Sequence, residues 1–202
     1  MNQAAKPSQA GSFGYTLVEL MVTVSIVGIL AGLSVVAFTR NWRDERVKAA
    51  TRESSAWLEE IRRIAIQRAA PCVVELNKAS ASFTVLEEAG TCNQPPAANQ
   101  ANDDIAGYTP RTSIQNAQDL VICGTNLNGS DPATTELNCS GPQSGVNETI
   151  FTPRGSVTNG LLFKLHLDAA NTDRCIAVIA PLGQVRSGRA NADGTCNFET
   201  AF

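Results

Sequence analysis

Hydrophobic and polar positions follow three regimes along this chain. From Leu20 to Phe38 nineteen residues pass without a charge. At about 1.5 Å per helical residue such a run nearly crosses a hydrocarbon core of about 30 Å, so it predicts a membrane-spanning helix. A secretory signal would be shorter, positively charged at its start and followed by a small-residue cleavage site. Here the run continues into a second pattern, in which Val47, Ala50, Ser54, Trp57, Leu58, Ile61, Ile64 and Ala65 recur at three- and four-residue spacing. That is one buried stripe of an amphipathic helix. Arg46, Arg52, Glu53, Glu59, Glu60, Arg63 and Arg68 take the other side, with Glu59 and Arg63 in the favourable i,i+4 order. Pro71 ends the helix. From Tyr15 to about Ala69 a rod of roughly 80 Å is expected.

Beyond Pro71 the period changes to two. Leu161, Phe163, Leu165 and Leu167 alternate with Leu162, Lys164, His166 and Asp168, the pattern of a half-buried strand with His166 on its solvated face. Arg174–Ala180 follows a short polar turn and completes a hairpin. Further strands are expected at Cys72–Asn77, Ser82–Glu88, Asp119–Cys123 and Glu148–Thr152. Asn93–Gly107 and Gly124–Gly145, rich in small polar residues, read as long loops and natural places for partner contacts. The fold class expected is α+β: a long N-terminal helix on an antiparallel, β-rich head.

Composition narrows the chemistry. The chain has 202 residues, enough for one domain and an appendage. His166 is its one histidine, which removes the commonest general base and metal ligand. No nucleophile-base pair or metal constellation appears, so no enzyme activity, cofactor or metal is expected; Asp131 and Glu136 lack the dense oxygen alternation of a calcium loop. Six cysteines in the second two thirds, with no CxxC pair, indicate disulfides in an oxidising compartment. Sequence alone leaves fifteen pairings open. The arrangement favoured here joins neighbours, Cys72 with Cys92, Cys123 with Cys139 and Cys175 with Cys196, because each pair then brackets a hairpin or loop. Charge is segregated: residues 40–68 carry eight basic and five acidic side chains, residues 69–202 seven and thirteen. So acidic a head repels nucleic acid in general, leaving only a local patch for DNA.

The mouth of the apolar run carries the most specific signal, Gly14-Tyr15-Thr16-Leu17-Val18-Glu19. A carboxylate at membrane depth is costly and by default functional. A plainer reading puts Glu19 in the headgroup zone, favouring the helix N-terminus through the macrodipole. These residues resemble the prepilin leader of type IV pilins and type II secretion pseudopilins. The resemblance implies cleavage between Gly14 and Tyr15 by the prepilin peptidase, N-methylation of Tyr15, and Glu19 pairing with a neighbour's terminal amine during assembly. It divides the chain into a leader (1–14), a transmembrane half-helix (15–39), an amphipathic half-helix (40–70) and a periplasmic head (71–202). Val36 stands where major pilins often have a kinking proline, so an uninterrupted helix is expected. Against this orientation, Arg40, Arg43, Arg46 and Lys48 follow the span closely, where the positive-inside tendency would keep the head cytoplasmic.

Two further strings, Ile150-Phe151-Thr152-Pro153-Arg154-Gly155 and Pro181-Leu182-Gly183-Gln184-Val185-Arg186, resemble the FimT/GspH group of minor pilins and pseudopilins. The implied role is a minor pilin that initiates or caps a pilus, stored in the bacterial inner membrane with a periplasmic head. Its partners would be other pilins in a helical filament, the prepilin peptidase and the inner-membrane assembly platform. The alternatives are a secretion pseudopilin and a DNA receptor. Some FimT-like members bind DNA through Gly-Arg-X-Arg; here Gly183, Val185 and Arg186 match, while Gln184 replaces the first arginine. Arg154, Arg174, Arg186 and Arg189 would form the basic patch.

Overall fold

The structure is a computed structural model that describes residues 15–88, 90–93, 105, 107–110, 120–141, 143–167 and 173–199, without the side chains of 33–41. Gly14 and the rest of the expected leader, most of the loop expected at Asn93–Gly107, Asp119 and Asp168 lie outside these residues. The chain divides into two compact units, one ending at Thr39 and one beginning at Arg40.

Helix α1 runs Leu17–Gln67 without interruption. In the first unit its described apolar side chains are exposed all round, Leu17 by 74% and Ile29 by 67%. A helix apolar on every face is built for a non-aqueous surrounding. Among the described residues no helical stretch is long and apolar enough to cross a membrane; the run ends in residues 33–38, whose side chains are outside the description, so the spanning role stands on the sequence.

In the second unit the expected stripe is the buried one. Val47, Ala50, Leu58, Ile61 and Ala65 are at most 1% exposed. Two antiparallel sheets share this core with the helix. The smaller has the order β2-β1-β4, from Ser82–Val85, Cys72–Asn77 and Val146–Phe151. The larger has the order β3-β5-β6-β7-β8, from Leu120–Leu127, Gly160–Leu167, Arg174–Ile179, Gln184–Ala190 and Cys196–Asn197. Val74, Leu76, Phe83, Ile122, Phe151, Leu161, Phe163, Leu165, Ile176 and Val178 fill the space against α1. Strands β5 and β6 form the expected hairpin, with Phe163 opposite Ile176.

Four expectations need correction. Strand β5 is buried on both faces rather than one, because Leu137, Cys123, Leu127 and Cys196 build a second, smaller core with Leu162, Cys175 and Ala177. On that face Lys164 is 7% exposed and its Nζ donates to the Leu137 carbonyl at 3.1 Å. His166 is accordingly half-buried, its Nδ1 2.7 Å from Asp173 Oδ1, instead of solvated. Strand β3 continues four residues past Cys123 into the stretch read as loop, and β7 and β8 were not expected; Gln184–Ala190, with two arginines, a serine and a glycine, has no apolar alternation to reveal it. Finally, Arg63 pairs with Glu60, not Glu59, through Nε–Oε2 at 2.9 Å and Nη2–Oε1 at 2.6 Å. One helical turn of three residues gives the guanidinium a two-pronged fit.

The cysteines are joined Cys72–Cys92, Cys123–Cys139 and Cys175–Cys196, the neighbour-in-order arrangement. The first two each tie an irregular segment to a strand, and the third ties β6 to β8.

Tyr108 stacks on Trp57 with ring centroids 5.9 Å apart and donates to Glu53 Oε2 at 3.2 Å. Burial, opposed by a hydrogen bond with Ser54 and reinforced by the Glu53 carboxylate, pushes its phenol up to about 12. The other tyrosine is Tyr15. In a Tyr15→Phe chain, tyrosinate absorbance should therefore develop near pH 12. The folded state holds this proton more tightly than the unfolded chain, whose tyrosine titrates near ~10. The associated stability is complete below ~10 and disappears as pH rises through about 12. A midpoint at the ordinary value would show Tyr108 to be solvated.

Candidate functional site

The amino-terminal site is organised by the backbone of its first turn. Thr16 is the N-cap: its carbonyl accepts from Leu20 N at 3.2 Å and its Oγ1 accepts from Glu19 N at 3.2 Å. Thr-X-X-Glu is the capping-box spacing, in which the hydroxyl satisfies one of the four amide hydrogens that a helix start leaves without partners. Glu19 thus sits at the third helical position, where the positive end of the macrodipole favours a carboxylate. Among the described residues its carboxylate makes no hydrogen bond or ion pair. Tyr15 lies two residues before the helix and is 81% exposed.

The arrangement is therefore an exposed Tyr15, a capped helix start and an acid without a partner among the described residues, followed by an apolar helical run. Residues 10–35 match the model of the prokaryotic N-terminal methylation motif. The matched segment is the one that holds the Thr16 cap and Glu19. The N-terminal helix packed on disulfide-bearing antiparallel sheets is the α+β architecture expected of a pilin-type subunit. No curated protein sequence matches the chain significantly. Among solved structures, the minor pseudopilin EpsH from the type 2 secretion system of Vibrio cholerae is similar at 13% identity over 77% of this chain and 96% of that one, with a TM-score of 0.39. At that value the likeness by itself carries no conclusion.

The four arginines of the expected basic patch do not share one surface. Residues opposite one another in a ladder point to the same face; Arg174 faces Arg189, whereas Arg186 faces Ala177. Three positions separate Arg186 from Arg189, and the period of two puts them on opposite sides of the sheet. Arg174 and Arg189 belong to the side that packs on α1. Arg186 lies on the other, beside Phe198 and Asp131 at the rim of a cavity of about 470 Å³. Arg154 is exposed in the turn after β4.

Arg174 itself is only 3% exposed, and its Nε and Nη1 have no hydrogen-bond partner. Burial lowers its ordinary pKa, with Arg189 and Arg52 acting the same way and Asp44 and Glu45 opposing. Asp131 turns out to order its own loop: its Oδ1 accepts from Ala133 N at 2.9 Å and its carbonyl from Thr135 Oγ1 at 2.8 Å.

The sequence reading missed Arg62. Its Nε donates to the Gly155 carbonyl at 2.8 Å and its Nη2 to the Leu182 carbonyl at 3.2 Å. The two strings singled out in the sequence, ending at Gly155 and running through Gly183, thus meet on one helix side chain. Their shared role is to fasten both sheets to α1. The only sequence signal was an arginine adjoining the buried stripe.

Proposed function

We propose that this chain is a minor subunit of a type IV pilus that initiates or caps the filament, a secretion pseudopilus being the same machine in another setting. The observation that carries the reading is the Thr16-capped start of an all-apolar helix bearing Glu19 without a partner. In the membrane-stored form Leu20–Phe38 spans the inner membrane and the disulfide-closed head lies in the periplasm. The prepilin peptidase removes residues 1–14 and Tyr15 becomes the methylated terminus. On extraction by the assembly platform, Glu19 meets the terminal amine of an adjoining subunit. A charge without a partner in an apolar bundle is strongly unfavourable, and this encounter neutralises two at once. The role is structural, with no catalytic step of its own.

DNA reception is the weaker reading, since the sheet separates Arg186 from Arg174 and Arg189. The assignment is tested by mass spectrometry of protein recovered from cells that carry the assembly machinery. The expected amino terminus is Tyr15 bearing one methyl group. A chain that retains residues 1–14 would remove the proposal.

A further inference from the structure

The open end of the β6–β7 hairpin sets two arginines side by side. Arg174, the first residue of β6, lies opposite Arg189 of β7, with Leu165 on its other flank and Asn197 beyond Arg189. Opposite residues share a face with Cβ atoms about 5 Å apart, and like charges so placed destabilise a sheet. This row holds two cations and no acid. Arg174 is nevertheless only 3% exposed, and its Nε and Nη1 are buried with no hydrogen-bond partner among the described residues. A buried donor without an acceptor carries the cost of its desolvation uncompensated.

The nearest acceptors in the chain are engaged elsewhere. Asp173 precedes Arg174, yet its Oδ1 is 2.7 Å from His166 Nδ1 and its Oδ2 3.7 Å from Lys164 Nζ, both on the other face of the sheet. Asn197, across from Arg189, accepts from Glu199 N at 2.8 Å through its Oδ1. Among the described residues neither arginine makes an ion pair. What surrounds the row adds donors instead. Arg189 is exposed, and Ser187, two positions earlier and so on the same face, is half-buried with a hydroxyl to give.

We propose that the Arg174–Arg189 row is a binding site for a phosphate or sulfate group, a role separate from filament assembly. The group accepts from the exposed Arg189 and from Ser187, and the buried Arg174 supplies positive potential that water screens poorly. Arginine suits this ligand because its planar fork matches two oxygens of one oxyanion. Chloride, a single sphere, offers no such match. The bound anion replaces a repulsion across the ladder with two attractions and fastens the open end of the hairpin.

The test is equilibrium dialysis of the full chain in a neutral detergent against radiolabelled inorganic phosphate, with sodium chloride holding the ionic strength constant. Uptake should saturate at about one phosphate per chain, and sulfate should compete while chloride does not. Arg189→Gln, which alters an exposed side chain, should weaken binding by about tenfold or more. Arg154→Gln and Arg186→Gln should leave it unchanged. Glycerol phosphate identifies the source: competition as strong as that of phosphate supports an ester as the occupant, and competition confined to phosphate and sulfate supports the free ion. Absence of saturable uptake overturns the inference. So does binding that chloride displaces equally well, that Arg189→Gln leaves intact, or that Arg154→Gln and Arg186→Gln weaken as much as Arg189→Gln.

Discussion

Glu19→Gln should yield a protein that is made, exported and folded normally but enters filaments at about a hundredth of the normal level or less. The substitution is nearly isosteric and keeps the first helical turn, because the capping bond from Glu19 runs through its backbone N–H to Thr16 Oγ1, not through its carboxylate. What changes is charge. Breaking a buried ion pair by removing one partner costs about 3–5 kcal/mol, and each 1.4 kcal/mol is about a factor of ten in partition. The measurement is the amount of subunit in sheared filaments relative to the membrane pool. Thr16→Ala supplies the contrast: losing the cap costs only about 1 kcal/mol of helix stability and leaves the acid in place, so incorporation should be largely kept. Wild-type incorporation of Glu19→Gln would show that the carboxylate serves only the helix dipole.

The second large effect is expected at the junction under Arg62. Gly183 has φ of 65°, and a Cβ there would collide with the Gly155 carbonyl oxygen and press on Val157. Backbone cannot yield as a flexible side chain can. Gly183→Ala should therefore destabilise the head by about 3 kcal/mol or more, the sum of left-handed strain and a steric shift in two turns. For a domain of this size that lowers Tm by about 6–12 °C. Gly129 is the internal control, with φ of 86° but nothing within 4 Å of the added carbon. Gly129→Ala should cost only the conformational strain, about 1 kcal/mol. Arg62→Ala loses two charge-assisted bonds to carbonyls, about 2 kcal/mol. Because Arg62 and Gly183 share partners, the double variant should fall short of the sum of the two losses. Equal Tm values for Gly183→Ala and Gly129→Ala would show that the turns are not locked together.

How much of this was legible beforehand depends on how local each signal is. The helix from Leu17 to Gln67 and its buried stripe could be read because a 3.6-residue period repeats through Val47, Leu58, Ile61 and Ala65 within one element. Strands β1, β5 and β6 announced themselves through alternation of large apolar residues. The capped acid at Thr16–Glu19 is four consecutive residues, so its chemistry is visible without any fold. The disulfide arrangement followed from closing short segments.

Strands β7 and β8 carried no such pattern. Their residues are held by ladder bonds to β6 and to each other, and ladders depend on register across the chain. The two-sided burial of β5, the hydrogen-bonded His166 and the buried Lys164 all follow from where the Cys123–Cys139 loop comes to rest. The basic residues show the same division. Sequence supplies four arginines between residues 154 and 189; the pleat of β7 decides that Arg186 faces away from Arg189, and the packing of β6 on α1 decides that Arg174 is buried. Composition and local period determined that this chain has an apolar, acid-bearing amino-terminal helix and a disulfide-closed β head. Which charged groups meet was left to the tertiary structure, because a charge's partners are set by distances between segments that the order of residues does not encode.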